Sequence, residues 1–251
     1  MKCNYKIVLA YDGSRYDGWQ KQGNTDNTIQ GKLEAVIGRM LGEAVEVCGS
    51  GRTDAGVHAL AQTANFHGET SMTEGEIKDY LNRYLPEDIG ILSVEKISPR
   101  FHSRLSACEK TYLYQIETGK KANVFERKYV YCLGKTLDLE RMRRGAALLL
   151  GERDFKSFCS NKRMKKSTIR NLISISIEEK GSKVLIRYRG NGFLYNMVRI
   201  LTGTLIEIGL GDRKAEDVIR ILEKKDRAAA GPTAPAQGLF LEKVEYKGKD
   251  S

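Results

Sequence analysis

The sequence predicts an α+β fold built from two ferredoxin-like halves, each a βαββαβ unit with an antiparallel sheet and helices on one face. Strand-period and helix-period segments follow one another in the order βαββαβ over the first hundred residues, and the same order recurs with longer insertions over the remainder. The length of 251 residues, with 41% hydrophobic residues and only 4 prolines, supplies enough apolar side chains for one large or two modest cores and argues against a disordered chain. A junction near residues 98 to 106 divides the chain into an N-terminal half, 1–105, and a C-terminal half, 106–251.

In the first half, Tyr5 to Tyr11 is rich in Ile, Val and Leu and reads as a strand. Thr28 caps a helix whose stripe is Ile29, Leu33, Val36, Ile37, Met40 and Leu41. Val45 to Cys48 and Leu60 to Phe66 read as strands on either side of the glycine-rich stretch Gly49 to Gly56. Thr73 and Glu76 form a capping box for a helix carrying Ile77, Tyr80, Leu81, Tyr84 and Leu85; Pro86 ends it, and Ile89 to Ile97 is the next strand. In the second half, Ala107 to Glu117 is a strand and Asp138 caps a helix bearing Leu139, Met142, Ala146 and Leu149. Ile173 to Ile177 and the alternation Val184, Ile186, Tyr188 give two strands. A helix with Met197, Ile200, Leu201, Thr204, Leu205 and Ile208 on one stripe follows, then a helix over Ala215 to Lys225 and a closing strand, Leu239 to Tyr246.

Composition excludes several classes of protein. Apolar runs are broken by Gly, Arg or Glu well short of the roughly 18 to 20 residues of a membrane span, and the N-terminal Met1 to Tyr5 has no signal-peptide apolar region. Five scattered cysteines (Cys3, Cys48, Cys108, Cys132, Cys159) and three distant histidines (His58, His67, His102) offer neither a disulfide framework nor a metal cluster. A soluble cytoplasmic protein with reduced thiols is expected. The net charge of +10 suits a polyanionic partner, and the cations cluster at Arg141, Arg143 and Arg144, along Asn161 to Lys166, and at Arg187 and Arg189. A charge run is also an ordinary solvated face, so the sign points to the partner's charge and not to the chemistry. If the open faces of the two sheets join, they leave a central basic cleft suited to an RNA stem.

The segment Cys48-Gly-Ser-Gly-Arg-Thr-Asp-Ala-Gly-Val-His-Ala59 is the most informative. Its glycines allow a tight backbone path close to a ligand, on a loop between two strands where catalytic groups are commonly held. Taken alone, Asp54 reads first as an Asx-turn residue that satisfies local backbone groups. The spacing is neither that of a P-loop nor that of a dinucleotide fingerprint.

This loop resembles the catalytic loop of the TruA family, the tRNA pseudouridine synthases of the anticodon arm. Four further segments resemble that family in its order: Tyr11 to Gln22, Lys110 to Tyr114, Gly192 to Arg199 followed by Gly203, and Ala234 to Leu241. The resemblance implies conversion of uridine to pseudouridine at positions 38 to 40 of tRNA, without cofactor or metal, by a homodimer that engages one tRNA through both subunits. It implies that Asp54 is the nucleophile, that Tyr112 stacks on the target base, that Arg199 pairs with the aspartate, and that Arg52 flips the base or holds a phosphate. It further implies a pocket floor padded by Leu241 or Leu239.

Each role has a plain alternative. Tyr112 and Tyr114 point to one sheet face and read also as core aromatics, Arg199 as a surface cation, and Arg52 as a turn charge. Gly192, Asn196, Arg199 and Gly203 share a helix face, and small residues beside an arginine suggest close approach to the cleft. His58 reads as structural and Trp19 as packing. A non-catalytic RNA-binding protein, a relative acting on another RNA, and a nucleoside hydrolase are the rival functions. The first would show an aromatic-basic strand pattern absent here, and the last would want a second carboxylate beside Asp54.

Overall fold

A computed structural model of the chain describes residues 2–121, 123–161, 164 and 166–247. It is an α+β protein of largely antiparallel sheets, with five α-helices among the described residues. The chain forms two compact units, Met1–Cys108 with Phe240–Ser251, and Glu109–Leu239.

The first unit opens with β1 (Cys3–Tyr11), α1 (Ile29–Leu41), β2 (Cys48–Gly49), β3 (His58–Gly68), α2 (Glu74–Tyr84) and β4 (Ile89–Ile97). β1 lies between β4 and β3, antiparallel to both, and β2 pairs β3, which gives the ferredoxin-like order β4-β1-β3-β2. Alternation along β1 buries Tyr5, Ile7, Leu9 and Tyr11, and Tyr5 stacks on Phe66 of β3 at 5.3 Å between centroids. The helices bury most of the expected stripes, Ile29, Leu33, Val36 and Ile37 on α1 and Ile77 and Leu81 on α2, while Met40, Leu41 and Tyr80 are half-buried and Tyr84 is exposed. Both expected caps are present: Thr28 Oγ1 accepts from Gly31 N, and Thr73 and Glu76 form the reciprocal capping box.

The strand expected over Val45 to Cys48 shrinks to Cys48–Gly49 for a local reason. Side chains of α1 take the backbone groups of Val47: Glu34 Oε1 accepts its N–H at 3.2 Å, and Gln30 Nε2 donates to its carbonyl at 3.2 Å. A residue whose backbone is satisfied by a helix side chain has no ladder bond left to make.

The second unit contains β5 (Ala107–Glu117), whose first two residues belong to the first unit, β6 (Tyr131–Cys132), α3 (Leu139–Leu148), β7 (Gly151–Asp154), β8 (Ile169–Lys180), β9 (Lys183–Gly190), α4 (Met197–Leu210) and α5 (Asp217–Lys224). The sheet order is β5-β9-β8-β7, with β6 beside β5. β6 and β7 have no counterpart in the sequence reading, because strands of two and four residues carry no period to detect.

The closing strand, β10 (Leu239–Tyr246), was read from sequence as the end of the second half. From Phe240 onward it is part of the first unit, where it runs parallel to β3 with Phe240 opposite His58 and Leu241 opposite Ala59. β2 and β10 thus share one edge of β3, β2 taking Ala64 and Asn65 and β10 taking His58 and Ala59. Tyr246 seals the return, donating its hydroxyl to the Ser103 carbonyl at 2.8 Å and packing on Phe101.

Candidate active site

Asp54 sits on a turn in the first unit that is pinned on both sides. Its own carbonyl accepts from Val57 N at 3.1 Å, and Gly56 between them has φ +76°, the left-handed third position of a type II turn. The main chain closes this turn. Upstream, Ser50 N donates to Thr63 O at 2.7 Å, Ser50 Oγ donates to Gln62 Oε1 at 2.5 Å, and Gln62 Nε2 donates to Gly51 O at 3.0 Å. Thr53 is buried, its carbonyl accepting from Trp19 N at 3.0 Å and its Oγ1 lying 2.8 Å from the Tyr11 hydroxyl. Burial pushes the Tyr11 phenol up to about 12, against the lowering effect of its hydrogen bonds, so it stays protonated at neutral pH. Asp54 itself is half-buried, between buried Thr53 and exposed Ala55.

The segment Tyr11 to Gln22 is the back wall of this loop, which explains its glycines. A methyl at Gly13 would lie 2.0 Å from the Val57 carbonyl oxygen, and one at Gly18 2.7 Å from that of Thr53. Gly18 also has φ +94°, a conformation that other residues rarely adopt. Trp19 is buried with its indole against Gly49, so it packs, as expected. Gly18→Ala is therefore expected to lower stability by about 2 kcal/mol in urea unfolding and to slow turnover by shifting the Asp54 turn; a variant matching the parent in both assays would refute this wall.

His58 is structural, as its sequence reading held. Its ring is buried, stacks on Phe240 at 4.7 Å, and accepts the Gly13 N–H at Nδ1, 3.0 Å away. Asp12 Oδ1 is 3.2 Å from the same nitrogen, a distance that would count as an ion pair only for a protonated ring. The Gly13 bond requires a lone pair there, so a neutral imidazole fits better.

In the second unit, Tyr112 and Tyr114 occupy one face of β5, as the alternation predicted. Tyr114 is a core aromatic, fully buried, with its hydroxyl donated to Pro235 O at 2.7 Å. Tyr112 keeps 8% exposure and meets Phe193 edge-on at 5.0 Å.

Arg199 is half-buried on α4 and clasps the segment before β10. Its Nε donates to Ala234 O at 2.7 Å, its carbonyl accepts from Ala234 N at 3.1 Å, and its Nη1 donates to Asn196 Oδ1 at 2.9 Å. Asn196 caps α4 in the left-handed region, φ +60°, and bonds Ser160 Oγ at 3.1 Å. Because the helix starts at Met197, Gly192 lies outside it and does not share the face of Arg199 and Gly203. The close approach at that face comes from the chain itself: a methyl at Gly203 would lie 1.9 Å from Pro232 O.

Arg52 is exposed, with its Nε donating to Gln20 Oε1 at 2.9 Å. Leu241 is fully buried on β10 and Leu239 nearly so. Several of the clustered cations have partners within their own unit: Arg141 pairs with Asp138 at 3.0 Å, Arg187 with Glu178 at 3.3 Å, and Arg189 with Glu109 at 2.6 Å. Arg143 donates to the Ile177 carbonyl and to Glu140. Of the basic run Asn161 to Lys166, Lys162, Arg163 and Lys165 lie outside the described residues. Among the described residues no helix is long and apolar enough to cross a membrane.

In the first unit, a half-buried acid on a loop pinned by main-chain and side-chain bonds is suited to covalent or acid-base chemistry. Comparison with known proteins specifies the class. A family model described as tRNA pseudouridine synthase matches residues 7–104 and 146–247. The chain is 48% identical over 243 residues to tRNA pseudouridine synthase A 2 of Bacillus cereus (strain ZK / E33L), covering 97% of this chain and 99% of that protein. It is 49% identical over 243 residues to tRNA pseudouridine synthase A of Bacillus sp. (strain KSM-64), with the same coverage. It is 44% identical over 247 residues to tRNA pseudouridine synthase A 2 of Clostridium tetani (strain Massachusetts / E88), covering 98% of this chain and all of that one. These matches define an isomerase of the pseudouridine synthase class. The chain belongs to the tRNA pseudouridine synthase A family, TruA.

Proposed function

We propose that this enzyme converts uridine to pseudouridine in the anticodon stem-loop of tRNA, at positions 38 to 40, with Asp54 as its nucleophile. Family membership supports the reaction, and the observation that carries the assignment to Asp54 is the double pinning of its turn. Main-chain and buried side-chain bonds tie down Ser50, Gly51, Thr53 and Val57, while Asp54 between them is half-buried. A reacting group gains most when its position is fixed in advance.

The reaction breaks the bond from ribose C1′ to uracil N1, turns the base, and joins C1′ to C5. C5 gives up its hydrogen and N1 gains one, so no electrons are gained or lost. An ionised Asp54 serves as the covalent or basic partner of the ribosyl-uracil. Tyr112 stacks on the uracil, an aromatic wall of the kind an extruded base needs. Arg199 balances the charge of the carboxylate, Arg52 holds the RNA backbone, and Leu241 lines the base pocket. The enzyme works in the cytoplasm as a homodimer, a reading carried by the family resemblance.

The test is release of tritium from tRNA labelled at uridine C5. Isomerisation frees the label to water, binding alone frees none, and hydrolysis yields labelled uracil. Loss of uracil, or no release at all, would overturn the proposal. Affinity for tRNA is expected to fall by on the order of 10²-fold or more between about 50 and 200 mM salt, because phosphate contacts release counterions. A log–log slope near zero would remove phosphate contacts from the account.

A further inference from the structure

The first unit contains a chain of amides with one possible direction, and it ends at Arg52. Gln30 is an outlier on α1: it is polar, yet 8% exposed, next to Ile29 on the buried stripe. Its amide is fully used. Oε1 accepts from Lys21 N at 3.0 Å and from Gln20 Nε2 at 2.7 Å, while Nε2 donates to Val47 O at 3.2 Å and Glu34 Oε1 at 2.9 Å. A backbone N–H can only donate and a backbone carbonyl can only accept, so Lys21 and Val47 fix which end of the Gln30 amide is oxygen. That orientation forces Gln20 to present its Nε2 to Gln30 and its Oε1 outward. The outward oxygen accepts Arg52 Nε–H at 2.9 Å.

The consequence for Arg52 is geometric. A guanidinium is a planar fork, so a bond that holds Nε–H toward Gln20 restricts the directions in which the two terminal nitrogens can point. Among the described residues this Nε bond is the one hydrogen bond recorded for the Arg52 side chain, which is otherwise exposed two residues before Asp54. Its partner is also uncharged, so the full positive charge stays available. A carboxylate in place of Gln20 would hold Arg52 equally well and cancel the charge a phosphate needs.

We infer that Gln20 and Gln30 are positioning residues that aim the terminal nitrogens of Arg52 at a phosphodiester of the bound RNA. The inference rests on the reading that Arg52 holds the RNA backbone. The relay fixes the angle at which the RNA strand enters beside the Asp54 turn, and leaves the chemical step to other groups.

The experiment is a double-mutant cycle on the full-length enzyme with unmodified tRNA transcript, comparing wild type, Gln20→Ala, Arg52→Ala and the double variant. Gln20→Ala is expected to raise KM on the order of fivefold with kcat nearly unchanged, and to add less than about twofold in the Arg52→Ala background. Arg52→Ala should flatten the log KM–log salt slope by about 0.7 to 0.9, one phosphate, whereas Gln20→Ala keeps the charge and the slope. Equal losses from Gln20→Ala in both backgrounds, or a loss confined to kcat, would overturn the relay while leaving the Arg52 contact standing. An Arg52→Ala enzyme with unchanged KM and slope would overturn the contact, and the relay with it. If Gln20→Ala lowers the melting midpoint, Gln20→Met, which keeps the bulk and removes both polar atoms, takes its place in the same cycle.

Discussion

Asp54→Asn is expected to reduce tritium release from C5-labelled tRNA by about 10⁴-fold or more, the range seen when a nucleophile that other groups depend on is removed. The exchange is nearly isosteric and takes away the charge and nucleophilicity of the carboxylate. The turn survives, because it is closed by the Asp54 carbonyl on Val57 N and braced by the Thr53 and Ser50 bonds, none of which uses the side-chain oxygen. Stability should therefore stay within about 1 kcal/mol of the parent in urea unfolding, and tRNA binding should persist. Release at the parental rate would remove Asp54 from the chemistry; a collapse in stability would show that the carboxylate holds the loop together.

Arg199→Met should give the next largest loss, about 10² to 10³-fold in kcat, the magnitude for removing one preorganised charged donor. Unlike the aspartate exchange it should also cost stability, about 1 to 3 kcal/mol, because the Ala234 carbonyl and the Asn196 amide oxygen both lose a donor. Arg199→Lys is not expected to rescue it. A single ammonium cannot reach Ala234 O and Asn196 Oδ1 with the fork geometry of a guanidinium. A variant as active as the parent but less stable would make Arg199 a clasp for the segment at Ala234 and nothing more.

The fold was legible where local chemistry decides it. The caps at Thr28, Thr73 and Asp138, the helix stripes and the alternation in β1 and β9 answer to local chemistry and to periods of two or 3.6 residues. It was not legible where a distant side chain or strand decides. Val47 loses its place in a strand to Glu34 and Gln30, and Phe240 finds its partner in His58, across most of the chain. The site divides in the same way. Asp54 stands out because glycines surround it, but the reason for Gly13 and Gly18, close approach to Val57 and Thr53, exists only in three dimensions. Gln30 did carry a signal, a polar residue beside the start of an apolar stripe, which period-based reading passes over as noise.

The edge of β3 shared by β2 and β10 has a consequence for biosynthesis. The first unit is the first to leave the ribosome, yet its sheet lacks a strand until residues 240 to 246 have been made. Domains ordinarily fold as they emerge, N-terminal first, and here the nascent unit must wait with the His58–Ala59 edge uncovered while some 130 intervening residues, Glu109–Leu239, are translated and fold. Unpaired strand edges are where chains associate wrongly. The loop bearing Asp54 leads directly into His58, whose ring stacks on Phe240, so that packing forms only once residue 240 has been made.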